Sequence, residues 1–204
     1  QCLSIRFFGS HVPYSQPYPP DQGKSLNKDI LLLGLFDRLH RDIGINREPL
    51  FWLQYSILML DAQDLVAAEK FLDTAYARAD ASPGFQTFQI DTHALRLFLL
   101  IEERASETST VEHFDAIMEK LGIVISMVGE ESHRPYALRV LIYIEPFIDR
   151  RQSALSLAEK NALLVQLERL ILTLRRLPEN IRASNGCEDA LKGAEQSKRK
   201  LLIS

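Results

Sequence analysis

The stretch around residue 90 carries the polar side chains with the best spacing for recognising a ligand. Gln89, His93 and Arg96 stand at i, i+4 and i+7, which places them on one face of a helix. An amide, an imidazole and a guanidinium together supply the donors and acceptors of a recognition groove. The alternative is structural: Gln89 and Asp91 satisfy buried groups, and His93 hydrogen-bonds between helices. The sequence leaves both interpretations open.

A second candidate cluster consists of Arg134, Tyr136 and Arg139. Arg and Tyr are the residue types enriched among the anchors of protein interfaces. A solvated helix start explains the same residues equally well. Together with the cluster around residue 90, these side chains are the candidate partner-binding residues.

One short motif resembles a phosphate-binding loop. Gly23-Lys24-Ser25 matches the end of that loop, in which backbone amides cradle phosphate and the Lys contacts it. The first glycine of the motif would fall at Tyr18, and Pro19 and Pro20 would lie inside the loop. We therefore interpret Ser25 as a helix cap and expect no nucleotide cofactor.

The residues with metal-binding potential do not have a metal site's spacing. Glu112 and His113 are adjacent, so on a helix their side chains diverge by about 100°, and Asp115 and Glu119 add no second histidine at i+4. The five histidines are scattered, and neither cysteine is near one in sequence. We expect no metal, no cofactor, no catalytic residue and no enzymatic activity.

Adjacent acidic residues near the predicted helix ends fit solvated charge better than acid-base chemistry. These pairs are Glu102-Glu103 and Glu130-Glu131. We predict that both pairs face solvent.

Composition indicates an ordinary globular chain of 204 residues, with 46% hydrophobic and 25% charged residues. The net charge of -3 supplies no global attraction for nucleic acid. Cys2 and Cys187 are far apart in sequence, which favours free thiols in a cytoplasmic protein. The apolar runs are too short to span a bilayer, so we expect no membrane segment.

The chain divides into three parts. Residues 1–25 are rich in Pro and Tyr and predict an extended arm or linker, residues 26–178 a helical-repeat domain, and residues 179–204 a charged tail with room for one short helix. Within the middle part, Pro146 is expected to kink its helix. The predicted helices cover residues 26–42, 49–60, 64–79, 85–103, 111–128, 134–150 and 153–177.

The segment from residue 48 to residue 83 has the spacing of a helical hairpin that stacks on copies of itself. Ser56 and Ala68 are small where two helices approach, and Trp52, Met59 and Leu72 fill the space between them, with Ala75 at the next position of the same spacing. These positions resemble a tetratricopeptide repeat, of which only the Trp and the Ala match by identity. The expected fold is all-α, with antiparallel hairpins stacked as a short tetratricopeptide-like superhelix.

A more specific resemblance covers residues 46–177. It rests on Pro49-Leu50-Phe51-Trp52-Leu53-Gln54-Tyr55, on Ala68 through Ala75-Tyr76, on Phe88-Gln89-Ile90-Asp91 with His93 and Arg96, and on Arg134-Pro135-Tyr136. These segments are similar to the C-terminal helical region of large bacterial defence proteins. There, such repeats follow a signal-transducing nucleotide-binding module or a sirtuin-like or nuclease effector. The resemblance implies a sensor or assembly domain whose effector is absent from this chain, and the start at Gln1 rather than Met agrees with an excerpt. Thr92 and Leu95 depart from the family's block.

Two functions follow from these observations. The first is a non-catalytic module that binds a protein partner or oligomerises. The second is an accessory domain that contacts nucleic acid through the basic C-terminal third. That region contains Arg169, Arg175, Arg176, Arg182 and the run Lys198-Arg199-Lys200. Steep salt dependence of binding would indicate the second function.

Overall fold

A computed structural model describes residues 34–104 and 113–203 of the chain. Every regular element in these two ranges is a helix, which confirms the predicted all-α class. The predicted arm, Cys2, the Gly23-Lys24-Ser25 motif and Glu112 lie outside the described residues. The helices are α1 (residues 34–39), α2 (Ile43–Asn46), α3 (Pro49–Asp61), α4 (Leu65–Asp80), α5 (Phe88–Arg104), α6 (Phe114–Met127), α7 (Arg134–Leu141), α8 (Ile144–Arg151), α9 (Leu157–Arg175), α10 (Glu179–Arg182) and α11 (Asn185–Ile203).

Helices α3 and α4 form an antiparallel hairpin with a tight turn. Pro49 is in the first turn of α3, where its missing N–H needs no partner. The helix ends in a Schellman motif, in which Asp64 N donates to Met59 O and Gln63 N to Leu60 O, with Gln63 at φ +66°. Asp64 then accepts from Ala67 N and caps α4.

Helix α5 lies between two groups of buried apolar residues. Ile90, Ala94 and Leu97 belong to the first group, which is formed with α3 and α4. Leu95 and Leu99 belong to the second, which is formed with α6 to α9 and α11. The two groups occupy different faces of α5, so this helix joins the N-terminal hairpin to the rest of the core.

The predicted helix over residues 134–150 is divided into α7 and α8. The break lies at residues 142–143, not at the expected kink at Pro146. A continuous helix would press the Pro146 ring against the carbonyl of Ile142, four residues earlier. The break places Pro146 in the first turn of α8, where a proline is tolerated.

The predicted charged tail contains a helix of 19 residues, not one short helix. Helix α11 packs on α7, α8 and α9. Its buried side chains are spaced three and four residues apart and are mostly small: Cys187, Ala190, Ala194, Ser197 and Leu201. Because small residues allow helices to approach closely, residues 185–203 are part of the second core group.

Candidate functional site and the polar clusters

A buried serine and histidine join α3 to α5. The Ser56 hydroxyl donates to Ala68 O at 2.5 Å, and its oxygen lies 2.9 Å from His93 Nε2. Because the hydroxyl's single proton goes to the carbonyl, Nε2 of His93 must be the donor to Ser56. Burial, together with the positive charge of Arg96, lowers the pKa of His93 to about 3. In a catalytic pair the serine hydroxyl donates its proton to the histidine, whereas here the histidine donates to the serine.

The three residues predicted to converge in a groove point to different places. His93 is only 5% exposed and turns toward α3. Arg96 lies 3.8 Å from Asp61 and 5.4 Å from the centre of the Tyr143 ring, while Gln89 is half-buried. The interhelical role is thus the one that the geometry supports for His93, and direct contact with a partner is not.

Asp91 is the centre of a second interhelical cluster. Its carboxylate accepts from the hydroxyls of Tyr76 and Thr87, both at 2.8 Å, and lies 3.0 Å from Lys120 Nζ. Burial and the neighbouring Asp91 raise the pKa of Tyr76. Burial lowers the pKa of Lys120, but hydrogen bonds to Asp91 and Glu119 outweigh it and leave that pKa raised. The cluster links α4, α5 and α6, and both carboxylate oxygens of Asp91 are occupied by contacts within it.

The prediction that Glu102 is solvated is wrong. Its side chain is 2% exposed and lies 3.6 Å from the guanidinium of Arg151, which is 1% exposed. The same carboxylate accepts from the backbone N of His113 at 3.2 Å and lies 3.3 Å from His113 Nδ1. Spacing could not reveal this cluster, because its members come from α5, α8 and the residue before α6. Glu103, Glu130 and Glu131 are at least partly exposed, as expected.

His113 connects this cluster to α4. Its Nε2 lies 2.8 Å from Glu69, and its ring stacks on Phe98. Two carboxylates facing the two ring nitrogens require both nitrogens to be protonated. Burial lowers the pKa of His113, but the hydrogen bonds to Glu69 and Glu102 outweigh it and raise that pKa. Each carboxylate contacts a different ring nitrogen, so His113 connects α4 and α5 to the start of α6.

The second predicted cluster is split between structure and surface. Arg134 Nε donates to Val128 O at 2.8 Å and so caps the end of α6. Tyr136 and Arg139 are exposed, and the Tyr136 ring meets Phe88 edge-on. Tyr136 and Arg139 are thus the exposed members of this cluster, and Arg134 is half-buried.

The residues predicted to pack the repeat are all buried in the first core group: Trp52, Ser56, Ala68, Leu72 and Ala75. The Trp52 ring is tilted by 33° against that of Phe71 of α4, with ring centres 5.6 Å apart, and its Nε1 donates to Asn46 O.

An apolar surface that the sequence reasoning missed lies on the outer side of α9. Leu157, Val165 and Leu172 are 75%, 63% and 52% exposed. At 100° per residue they lie within about 80° of each other around the helix. Arg169 and Arg176 are exposed on the same side, and we call these five residues the α9 face. A search of the sequence for the buried apolar stripe of a helix does not find these residues, because they lie outside that stripe. The sequence does show that α9 has apolar residues on both of its faces, which indicates an uncovered apolar surface.

Three of the seven basic residues proposed for nucleic-acid contact, Arg175, Lys198 and Lys200, are paired with carboxylates. Arg175 lies 2.7 Å from Glu195, and Lys198 lies 2.8 Å from Glu168. Lys200 contacts both Glu145 and Asp149, while Arg182 donates to a backbone carbonyl of α9. These carboxylates compete with phosphate, so the region is less basic than its composition suggests.

No protein-family model, curated protein or solved structure matches this chain. Over residues 34–104 and 113–203, no group of three or more His, Cys, Asp or Glu side chains is arranged to hold a metal ion. Within the same ranges, none of the helices is both long enough and apolar enough to cross a bilayer. Function must therefore be argued from the geometry of the chain itself.

Proposed function

We propose that the protein is a non-catalytic helical module for protein recognition or self-association. The observation that carries the proposal is the α9 face, where three large apolar side chains are more than half exposed along one helix. Single exposed apolar residues are normal on a surface, whereas a large apolar patch marks an interaction site; we infer that these three, spaced two helical turns apart along one side of α9, are the anchors of such a site. Covering such a row removes apolar area from water, which is the main driving force of association.

The polar clusters support a role other than catalysis. Ser56–His93, Asp91–Lys120 and Glu102–Arg151 each join two or more helices. Their donors and acceptors are used within the fold, so none is left in a cleft with the arrangement of a nucleophile and base. We infer that these groups hold the helices in register and that recognition takes place on the outer surface.

We extend the proposal to the tetratricopeptide-like relation indicated by the sequence. The antiparallel α3–α4 hairpin, with Ser56 and Ala68 at its closest approach, supports a repeat unit. In this proposal the chain is the sensor or assembly part of a cytoplasmic bacterial antiphage defence protein. The α9 face is then the surface through which the module meets a partner.

The experiment that tests the proposal places a photo-crosslinking amino acid at Val165 in living cells. Ile142 is a suitable control position, since it is 58% exposed but lies outside the α9 face. We expect covalent protein adducts from position 165 and background only from position 142. Val165→Gln with Leu172→Gln should abolish association without changing the circular dichroism spectrum. Equal adducts from both positions, with unchanged association, would rule out recognition through α9.

A further inference from the structure

The outer side of α4 is complementary in charge to the α9 face. Asp73 and Asp80 are exposed there, with Glu69 beside them and Val66 81% exposed. We call these four residues the α4 face. Lys70 is also exposed on this side, about 60° around the helix from Asp73, so the acidic residues lie along one edge of it. Burial, followed by the negative charge of Glu69, raises the pKa of Asp73, so a cation brought to this surface would be stabilised. Neither Asp73 nor Asp80 forms an ion pair with another described residue.

The charges on the two faces have the same spacing. Asp73 and Asp80 are seven residues apart, as are Arg169 and Arg176. Each pair therefore spans two helical turns, or about 10 Å along its helix. Neither arginine is in an ion pair with a residue that the structure describes. Two helices laid side by side would match both charges at once, with the apolar residues of each face between them.

Two further charged residues of α9 lie within the arc of the α9 face, on the edge marked by Leu157, and both are compensated. There, Glu168 pairs with Lys198, and Arg175 pairs with Glu195, so α11 compensates both charges of α9. The positive charge of the α9 face is thus confined to Arg169 and Arg176. A partner helix with two acidic side chains seven residues apart would match these two arginines. Asp73 and Asp80 of α4 have that spacing.

The two faces belong to different ends of the fold. Helix α4 packs on α3 and α5, whereas α9 packs on α6 and α11. A contact between them in two molecules is heterologous, because a different surface is used on each side. A pair of molecules joined in this way still offers one free α9 face on the first molecule and one free α4 face on the second, so the contact propagates into a chain or closes into a ring.

We propose that a second copy of this chain occupies the α9 face, by docking its α4 face there head-to-tail. This inference rests on the proposed function and names the partner. A nucleic acid fits less well, because phosphates leave Leu157, Val165 and Leu172 uncovered and because Arg175, Lys198 and Lys200 are already paired. Association through the two faces depends on concentration, and it weakens with salt because the charges are exposed.

The test uses two charge-reversed variants of the whole chain. One variant is Arg169→Asp with Arg176→Asp, and the other is Asp73→Arg with Asp80→Arg. Like charges then meet at the interface in each variant alone, which should weaken self-association by at least about tenfold. In an equimolar mixture, the unchanged face of each variant meets its complement, and association should return. Sedimentation velocity over a range of concentrations, at low and high salt and after nuclease treatment, measures both effects.

Arg199→Asp with Lys192→Asp is the matched control for the first variant. Both residues are exposed on α11, and the change in net charge is identical. It should associate as the unmodified chain does, and thermal melting must show that all variants are folded. A monomeric unmodified chain, an inert mixture or loss of association after nuclease treatment would overturn head-to-tail docking. Protein adducts from position 165 would still support recognition in that case, so the two failures are distinguishable.

Discussion

Replacing Arg151 by Met should destabilise the fold, because it removes the arginine that faces the buried carboxylate of Glu102. Arg151 and Glu102 are 1% and 2% exposed, and they face each other across α8 and α5 at 3.6 Å. At that distance the contact is an ion pair and not a hydrogen bond. Removing one member of a buried pair costs about 3–5 kcal/mol where the remaining charge has no other partner. Protonated His113 stays 3.3 Å from Glu102 and compensates part of its charge, so we expect a loss at the lower end of that range. That is a large share of the 5–15 kcal/mol that is typical of a domain's total stability.

The matched control is Lys192→Met. Lys192 and Glu188 are only 2.7 Å apart, closer than the buried pair, but their side chains are 65% and 51% exposed. Exposed pairs are screened by water and contribute little, so the control should behave as the unmodified chain does. Burial and not distance is expected to separate the two variants.

Urea unfolding followed by the fluorescence of Trp52, the only tryptophan, and by circular dichroism measures the effect. For a chain of this size the predicted loss lowers the melting temperature by about 10 °C. Adding Glu102→Gln removes the stranded charge, so the double variant should recover more than about 1 kcal/mol of the loss. The reasoning is refuted if Arg151→Met and Lys192→Met have the same midpoint, or if the double variant shows additive losses.

Four further changes test individual contacts. Because the pKa of His113 is raised, its contacts with Glu69 and Glu102 stabilise the fold fully below the unfolded pKa of about 6.5 and lose this effect as pH rises through the folded pKa. The free energy of unfolding should therefore exceed that of His113→Gln by less at about pH 9 than at about pH 6. A difference that grows with pH would contradict this reasoning. Ala68→Leu should cost about 1–3 kcal/mol in thermal unfolding, since Ala68 O is 2.5 Å from the Ser56 hydroxyl, and an unchanged melting temperature would mean that the register is misread. Gln63→Gly should raise stability by up to about 1 kcal/mol, because φ is +66° there, and Gln63→Ala is its control. Ser156→Ala removes the capping box at the start of α9 and should cost about 1 kcal/mol, with Ser153→Ala silent.

The helical signals that the sequence reasoning used successfully are local. The predicted ranges 49–60 and 64–79 lie within one residue of α3 and α4, because Pro49 in the first turn of α3 and the Asp64 cap of α4 act within a few residues. The start of α9 was placed too early because the Ser156–Glu159 capping box was overlooked. The capping box is a local signal, a Ser followed three residues later by a Glu, and it is visible in the sequence.

Other features needed the tertiary structure. Glu102 looks like its neighbour Glu103 in the sequence, and only the arrival of Arg151 and His113 from distant segments makes it a buried partner. His93 has the spacing of a surface residue but is turned inward by Ser56, 37 residues away. Whether a polar side chain binds a partner or holds two helices together depends on what packs against it.

The sequence by itself determined that the chain is helical, where α3 and α4 begin and end to within one residue, and that Trp52, Ser56, Ala68, Leu72 and Ala75 are buried. Helical periodicity, capping and the effects of proline involve residues close together in the chain, so they can be predicted from the sequence alone. Only the tertiary structure decided that residues 185–203 complete the core and that α9 leaves an apolar row uncovered. The physical reason is that burial is a property of pairs of surfaces, and each helix carries only one of the two.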